Sequence, residues 1–433
     1  MATLTLFEHE TQAWAMTPAQ LALLNQLQHR LNENVLQPVY RAGAWSLRAG
    51  QYVGVIRLGA QSIQILPKIY RSAETASREL LAREATANLL RMLAYAGFVQ
   101  VNESEIADLL SRESDWFEIL TYLFAHHLRE EWRRGPARSY QTVEDELSLL
   151  KGKWRLNVQL RRPDRAHRFA VAYDEFTADI LLNRIFRFVV ERLVWLARSA
   201  VNVRLLGELR GLLDDVTLLP TVTVADVDQV ALNRLTSRYA PLLNLARLFL
   251  EQGALQTASG DTSLFAFVFD MNVVFEGFIA GFLRRHRALA IPAELQPCTL
   301  AIQSRGRQLH LARSEGKALF RLKPDLLFRQ GEAAPLIMDT KYKQLTPSDR
   351  KLGISEADFY QMFAYARRYA CPRVILLYPQ SAQVTTPVRR RFTLEVDTDQ
   401  HIFAATLNIR RDLGQRTERE ALAAELFVIL SQR

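Results

Sequence analysis

The sequence predicts an α+β protein of several domains, and three changes of pattern along its 433 residues support this prediction. The first stretch, residues 1–72, is predicted to form a small β-rich unit. Residues 73–260 carry apolar positions at helical spacing, which indicates a mainly helical middle region with a β insertion. Residues 261–433 mix helices and strands and predict a C-terminal α/β domain of ordinary size.

The bulk composition is that of a folded globular protein. Hydrophobic residues make up 49% of the chain and charged residues 23%, which excludes disordered chains, fibres and small disulfide frameworks. Fifty-five Lys and Arg residues against 46 Asp and Glu residues leave a net charge of +9. This excess suits a polyanionic partner such as nucleic acid, and it equally suits a solvated basic surface.

The two cysteines, Cys298 and Cys371, stand far apart and form no CxxC or Cys/His cluster. Neither a zinc site nor a disulfide framework is therefore predicted, and a reducing compartment is the default. No stretch reaches the roughly 18 uninterrupted apolar residues that a membrane span needs. Residues 1–10 lack the basic and then apolar order of a signal peptide. We therefore expect a soluble, cytoplasmic protein.

The first unit is predicted to contain one helix and several strands. Thr17 and Pro18 are typical of an N-cap and a first helical turn, and leucines recur behind them at helical spacing. Strands follow at residues 39–41, 52–58 and 62–66.

Helical spacing dominates the middle region. A short β insertion interrupts it and brackets a cluster of arginines, which either grips phosphate or an acidic protein surface or is simply a solvated loop. A polar stretch at residues 253–261 is typical of a linker. The predicted helices lie at about 75–97, 114–133, 177–199 and 241–251, the insertion strands at 151–156 and 169–173, and the arginines are Arg161, Arg162, Arg165 and Arg168.

The C-terminal domain alternates helices with strands. Its predicted order is a helix at about 265–286, strands within 298–341, a helix at 355–369, a strand at 373–378, further strands and a final helix at 416–431.

Two apolar segments of this domain, joined by a Gly-containing turn at 330–332, predict a β-hairpin. Asp325 stands near the start of its first strand and Asp339 near the end of its second, so the hairpin brings them side by side. Asp339 and Lys341 are two residues apart on one strand and therefore share a face. One site thus holds two carboxylates and an ammonium.

This set of groups suits phosphodiester hydrolysis, although an ordinary surface ion pair is the alternative. Hard oxygen ligands bind Mg²⁺ or Mn²⁺. The metal stabilises charge on the phosphate and lowers the pKa of a bound water, and a nearby Lys orients or deprotonates that nucleophile. A Pro-Asp pair is followed, after 13 intervening residues, by Asp-x-Lys. This spacing resembles the signature of PD-(D/E)XK nucleases, with Asp325, Asp339 and Lys341 in the motif positions.

The flanking helices add further candidates. Glu276 lies among large apolar residues of the predicted helix 265–285, where a carboxylate needs a partner or a metal. The helix before the hairpin often supplies a third acid in this nuclease fold, and a glutamate that extends to solvent or is capped is the alternative. Gln361 and Tyr365 are i, i+4 neighbours, and their QxxxY pattern resembles a motif of RecB-like nucleases that positions metal ligands and DNA. Lys343, predicted to lie on the same strand face as Lys341, adds a second cation for phosphate contact.

A resemblance to one family extends over most of the chain. The phrases at residues 53–58 and 63–69 are similar to the N-terminal signature of McrC, the nuclease subunit of McrBC-type modification-dependent (5-methylcytosine) restriction systems. Further similar phrases lie at 150–153, 176–179 and 271–276.

The resemblance implies a DNA endonuclease that uses Mg²⁺ or Mn²⁺ and acts with a McrB-like AAA+ GTPase hexamer, which reads modified cytosine. It implies that residues 1–72 dock on the partner and stimulate its nucleotide hydrolysis. It also implies that residues 261–433 form a PD-(D/E)XK endonuclease domain, with Asp325, Asp339 and Glu276 as metal ligands. The sequence has no GxxxxGK[ST] loop, so any motor is a separate chain.

Two other hypotheses remain open at this point. The chain is either a stand-alone RecB-like repair or recombination nuclease, or a non-catalytic adaptor that activates a motor. Cutting of DNA with Mg²⁺ and without nucleotide favours the first of these alternatives, and the intact acid, acid, lysine set argues against the second.

Overall fold

The computed structural model of the chain describes residues 3–31, 35–41, 43–58, 61–71, 78–101, 103–112, 115–251, 255–256, 263–303, 309–381, 384, 386–395 and 397–432. The chain divides into two compact units. One unit combines Met1–Trp116 with Ala254–Arg433, and the other is Phe117–Gly253. The predicted linker at residues 253–261 lies almost wholly outside the described residues.

The N-terminal part of the first unit contains six strands and three helices among its described residues. In chain order they are β1 (Thr3–Phe7), β2 (Thr11–Ala13), α1 (Pro18–Leu31), β3 (Leu36–Arg41), β4 (Ala44–Ala49), β5 (Tyr52–Leu58), β6 (Gln61–Leu66), α2 (Arg78–Tyr95) and α3 (Glu103–Arg112). The predicted helix and strands of this region are confirmed to within a few residues.

The second unit is mainly helical and carries a three-stranded sheet, as predicted for the middle region. Its elements are α4 (Trp116–Arg133), β7 (Ser139–Leu147), β8 (Lys153–Trp154), α5 (Leu156–Gln159), β9 (Phe169–Thr177), α6 (Leu181–Leu196), α7 (Ala200–Leu212), α8 (Val224–Asp228) and α9 (Ala240–Glu251). The sheet has the order β7-β9-β8. The strand β7 and the helix α7 were not predicted.

The C-terminal part returns to the first unit. Its elements are β10 (Leu255–Gln256), β11 (Ser263–Asp270), α10 (Met271–Arg285), α11 (Arg287–Ala290), β12 (Thr299–Ile302), β13 (His310–Ser314), β14 (Lys317–Arg321), β15 (Leu326–Gln330), β16 (Ala333–Thr340), α12 (Glu356–Arg368), β17 (Arg373–Pro379), β18 (Arg389–Leu394), β19 (Asp397–Leu407) and α13 (Arg416–Leu430).

The first sheet joins the two ends of the chain. Its order is β1-β6-β5-β11-β10, and β11 pairs antiparallel with β5 over seven residue pairs, from Leu264 with Leu58 to Asp270 with Tyr52. The predicted boundaries, 1–72, 73–260 and 261–433, therefore need correction: the first segment shares a sheet with the third, and α2 and α3 belong to the same unit as both.

The predicted helix at 265–286 is wrong in its first turn and a half, because residues 263–270 form the strand β11. Ala266, Phe267, Val268 and Phe269 are buried there. A short, continuous apolar run fits a buried strand as well as a helix, and periodicity alone does not separate the two. The helix α10 begins only after Asp270, whose side chain accepts a hydrogen bond from Asn272 N.

The second sheet holds the candidate site. Its order is β12-β15-β16-β17-β19-β18, with β16, β17 and β19 parallel and the other neighbours antiparallel. The helix α12 connects β16 to β17 and packs its buried Met362 and Tyr365 on the apolar face of these strands. Parallel strands need such a crossover connection, which leaves their carboxyl ends free to carry polar side chains.

None of the helices in the described part of the chain has the length and apolar character needed to cross a bilayer.

Candidate functional site

The β15–β16 hairpin brings the two predicted aspartates together. Leu326 pairs with Met338 across the two strands, and continuing that antiparallel register by one residue sets Asp325 opposite Asp339. The predicted hairpin and its pairing are therefore confirmed.

Asp325 is tied to the second strand by two hydrogen bonds. Its Oδ2 accepts from Thr340 N at 2.7 Å and from the Thr340 hydroxyl at 2.7 Å. Burial raises the pKa of Asp325, whereas these bonds and the charge of Lys341 oppose the rise. Thr340 is the variable residue of the DxK pattern, so its role in fixing Asp325 was not apparent from the sequence.

Asp339 is almost completely buried, with 1% of its surface exposed. Its Oδ2 lies 2.7 Å from Lys341 Nζ, as the shared strand face predicted. Burial, together with the charge of Asp325, raises the pKa of Asp339 to about 7 even though Lys341 lowers it. Burial lowers the pKa of Lys341, but Asp339 and Asp325 outweigh it and leave a net rise. A cluster with two carboxylates and one ammonium thus stabilises an added proton or cation.

Glu276 joins the same electrostatic cluster from α10. Its Oε1 is buried and has no hydrogen-bond partner among the described residues. Burial raises the pKa of Glu276 to about 7, and the nearby charges of Asp325 and Asp339 act in the same direction, against a hydrogen bond from Gln303 and the charge of Lys341. The predicted third acid is therefore close to the hairpin.

Gln361 and Tyr365 extend the cluster along α12. Lys341 Nζ donates to Gln361 Oε1 at 3.1 Å, and Gln361 Nε2 donates to the Tyr365 hydroxyl at 2.9 Å. Tyr365 is buried. The i, i+4 pair of this helix thus forms one line of hydrogen bonds that ends on the lysine, and all six predicted site residues contribute to one region of the molecule.

Lys343 has a different position from the one predicted. The strand β16 ends at Thr340 and the chain then turns, with Lys343 N donating to Lys341 O at 2.8 Å. Lys343 Nζ pairs with Asp358 Oδ2 at 2.8 Å, and the Ser355 hydroxyl donates to the same oxygen at 2.6 Å. This cation is consequently engaged at the start of α12 rather than aligned with Lys341 on a strand.

The donor set fits a hard divalent cation. Glu276 Oε1 is a buried carboxylate oxygen without a hydrogen bond from the described residues, and Asp339 Oδ2 is a buried carboxylate oxygen that pairs with Lys341. Such oxygens are the ligands that Mg²⁺ and Mn²⁺ prefer. No group of three or more His, Cys, Asp or Glu residues in the described ranges is already arranged to hold a metal. The side chains that fit the cation best are therefore the pair Asp325 and Asp339, with Glu276 nearby.

The arginine cluster of the β insertion is partly engaged within its own sheet. Arg162 Nη1 and Arg165 Nη1 contact the two carboxylate oxygens of Glu146 at 2.6 and 2.5 Å. These two guanidinium groups are accordingly paired with an acid of β7, a strand that was not predicted.

The fold and this geometry define a class of protein. It is an α+β protein in which a buried aspartate, a half-buried aspartate and a lysine lie together where a hairpin meets a parallel sheet. A family model provides the particular family. The chain belongs to the family described as McrBC 5-methylcytosine restriction system component, whose model matches residues 47–379. The predicted membership is confirmed.

Solved structures from Thermococcus gammatolerans are similar to this chain. One chain in a refined half-complex from a tetradecameric assembly of McrB AAA+ hexamers with bound McrC is 23% identical, with a TM-score of 0.68 over 99% of this chain and 100% of that one. A chain in the cryo-EM structure of the McrBC complex is 27% identical, with a TM-score of 0.51 over 66% of this chain and 88% of that one. A comparison with curated proteins gives no match.

Proposed function

We propose that this chain is the McrC-like nuclease subunit of a modification-dependent restriction system and hydrolyses DNA phosphodiesters with Mg²⁺ or Mn²⁺ in a PD-(D/E)XK-type site. The observation that carries the proposal is the buried contact of Asp339 with Lys341, beside Asp325 and within the electrostatic reach of Glu276. Placing the buried Asp339 next to the half-buried Asp325 and Glu276 is unfavourable for folding alone, and a cation bound at this site offsets that cost.

Asp325, Asp339 and Glu276 would hold the cation through their oxygens. When bound, the cation supplies positive charge to the phosphate and acidifies a coordinated water. Thr340 keeps Asp325 oriented, and the buried position of Asp339 excludes bulk water from one side of the site. A low-dielectric environment of this kind strengthens every charge interaction within it.

Lys341 would orient the attacking water and stabilise the charge that develops on the phosphate. Gln361 restrains the Lys341 ammonium, and Tyr365 in turn fixes the Gln361 amide. The roles of Gln361 and Tyr365 are thus to position the lysine, and their loss should weaken catalysis less than the loss of Lys341 itself.

The partner would be a McrB-like AAA+ GTPase hexamer, and the substrate would be DNA that carries modified cytosine. Family membership supports this assignment, as do the related assemblies from T. gammatolerans, which contain McrB AAA+ hexamers with bound McrC. The absence of a GxxxxGK[ST] loop from the sequence is consistent with a motor on another chain. We place the complex in the cytoplasm.

Reconstitution tests the proposal. The chain is co-expressed with a McrB-like AAA+ protein, and the complex is incubated with methylated and unmethylated DNA, with and without GTP and Mg²⁺. We expect cleavage only with methylated DNA, GTP and Mg²⁺ together. Cleavage by the isolated chain without nucleotide would instead identify a stand-alone nuclease, and GTP hydrolysis stimulated without any cleavage would identify an adaptor.

A further inference from the structure

A buried ion pair lies at the end of two neighbouring strands of the first sheet. Glu8 follows β1, Lys68 follows β6, and β1 and β6 are parallel partners. Lys68 N donates to Glu8 Oε2 at 2.9 Å, and Lys68 Nζ lies 4.0 Å from Glu8 Oε1. The two side chains are 0% and 14% exposed. Buried ion pairs of this kind contribute little net stability, so another role must be considered.

The same lysine contacts the segment that carries the candidate catalytic lysine. Lys68 Nζ donates to the backbone oxygen of Tyr342 at 3.0 Å and lies 4.6 Å from the centre of the Tyr342 ring. Tyr342 directly follows Lys341. Its buried ring also packs against Phe275, with 5.9 Å between the ring centroids, and Phe275 directly precedes Glu276.

The sheet itself does not extend to Tyr342. Lys341 N still donates to Leu377 O at 2.9 Å, but the strand β16 has ended at Thr340 and the chain turns at Lys343. Lys68 therefore forms a hydrogen bond with the backbone at the point where the hydrogen-bond ladder of the sheet ends. Such an anchor fixes the direction in which the chain leaves the strand.

We propose that Lys68 is a positioning residue for the candidate catalytic strand: its ammonium, oriented by Glu8, fixes the Tyr342 carbonyl and so keeps Lys341 and Asp339 in register. This inference rests on the proposed nuclease function. A misplacement of about 1 Å can cost roughly 100-fold in rate, and the 2.7 Å contact between Lys341 Nζ and Asp339 Oδ2 leaves little room for such a shift.

Two matched variants separate positioning from simple stability. Lys68→Met keeps the apolar stem and removes the ammonium. Arg57→Met is the control, because Arg57 lies on β5 in the same sheet and forms a buried ion pair with Asp115 at 2.8 Å. Each variant removes the cation of a buried ion pair, and among the described contacts the one with the segment after β16 belongs to Lys68.

The first measurement is hydrogen exchange at the amides of Lys341 and Lys343, which needs no catalytic activity. We expect Lys68→Met to accelerate exchange at both amides by roughly tenfold or more, while Arg57→Met leaves them unchanged relative to the wild type. Lys68→Arg keeps a donor and should restore most of the protection. If Lys68→Met does not fold, Lys68→Gln takes its place with the same two outcomes.

The second measurement is single-turnover DNA cleavage by the complex with its partner motor, below the unfolding temperature of each variant. We expect roughly tenfold or greater loss of rate for Lys68→Met and wild-type rates for Arg57→Met. Equal exchange and equal rates in the two variants would overturn the positioning role while leaving the proposed function intact. A wild-type complex that does not cleave would overturn the proposed function, and the exchange data would still decide on Lys68.

Discussion

At the scale of single residues, the contact between Asp339 and Lys341 follows from the geometry of a β-strand. Their spacing of two follows from the alternation of side chains along any strand, so their contact at 2.7 Å was predictable from the sequence. The contribution of Thr340 was not, because a threonine between them has no pattern that marks it as the partner of Asp325. The contact between Lys68 and Tyr342 was equally unpredictable, since 274 residues separate the two.

The oxygen-only donors of the cluster lead to a prediction about the metal. Mg²⁺ and Mn²⁺ should support cleavage, whereas Ca²⁺ should bind without turnover because its looser coordination geometry positions water poorly. EDTA should abolish cleavage and added Mg²⁺ should restore it. The measurement is cleavage by the reconstituted complex across a series of metal ions, and activity that survives EDTA would contradict the metal-dependent assignment.

Glu8 gives a prediction about the pH dependence of stability. Burial raises its pKa to about 7, with the charge of Lys68 opposing that rise and the charge of Asp270 adding to it; the Tyr342 hydroxyl also faces the carboxyl. The folded state therefore binds a proton more tightly than the unfolded state, for which the pKa is about 4.5. This contribution to stability is fully present below pH ~4.5 and is lost as the pH rises through ~7.

The variant Glu8→Gln should not lose this contribution to stability as the pH rises. Its melting temperature should exceed that of the wild type at pH 8 and approach it at pH 4.5, where Glu8 is largely protonated in the folded state. Thermal unfolding across this pH range provides the measurement. If the melting temperature of the wild type instead rises relative to that of the variant as the pH rises, Glu8 is stabilised as a carboxylate.

At the scale of secondary-structure elements, the local sequence pattern was enough to predict some elements and not others. The hairpin β15–β16 was predictable because two apolar strands and a Gly-containing turn lie next to each other in the sequence. The strand β11 was not, because its partner β5 lies about 200 residues earlier and its apolar run suits a helix as well. The Asp270 cap was the available signal for where the helix begins.

The β13–β14 hairpin leads to a prediction about DNA contact. It forms a two-stranded sheet of its own, and it exposes Leu311 and Phe320. Its cations have no ion-pair partner among the residues that the structure describes, and the chain runs from this hairpin directly into Asp325. Unpaired cations beside an exposed aromatic ring suit a nucleic-acid backbone. The cations are Arg313, Lys317 and Arg321 in the hairpin and Lys323 just after it.

Replacing Arg313, Lys317 and Arg321 by Gln should weaken DNA binding and flatten its dependence on salt. Each lost phosphate contact reduces the slope of log K against log salt by about 0.9, so a change of about 2 to 3 is expected. The control replaces Lys351 and Arg416, exposed cations that already pair with Glu356 and Glu420. An unchanged slope in the triple variant would place DNA on another surface.

At the scale of the whole molecule, the pairing of β5 with β11 changes how the two ends of the chain can be separated. The family resemblance implies that residues 1–72 form a docking domain distinct from the nuclease domain. The shared sheet shows that the first of these segments completes the fold of the second. The docking role of the N-terminal residues remains a prediction, and point variants suit it better than truncation.

Deleting residues 1–70 should therefore unfold the first unit rather than release an intact nuclease domain. The deletion removes β1, β5 and β6 and leaves β11 without its long antiparallel partner, and an unpaired apolar strand favours aggregation. Circular dichroism and thermal unfolding of the truncated chain test this expectation. A soluble product with one cooperative transition would instead support an independent C-terminal domain.

We propose that the cluster around Asp339 cuts DNA within a motor-driven complex. The most direct measurement compares the wild type with Asp339→Ala and Lys341→Ala, recording DNA cleavage and GTP hydrolysis by the partner in the same reaction. We predict that each variant loses roughly 100-fold or more of the cleavage rate, because it removes a metal ligand or the charge that orients water, while GTP hydrolysis stays at the wild-type level. Cleavage that persists in either purified variant at the wild-type rate would show that DNA is cut at another site.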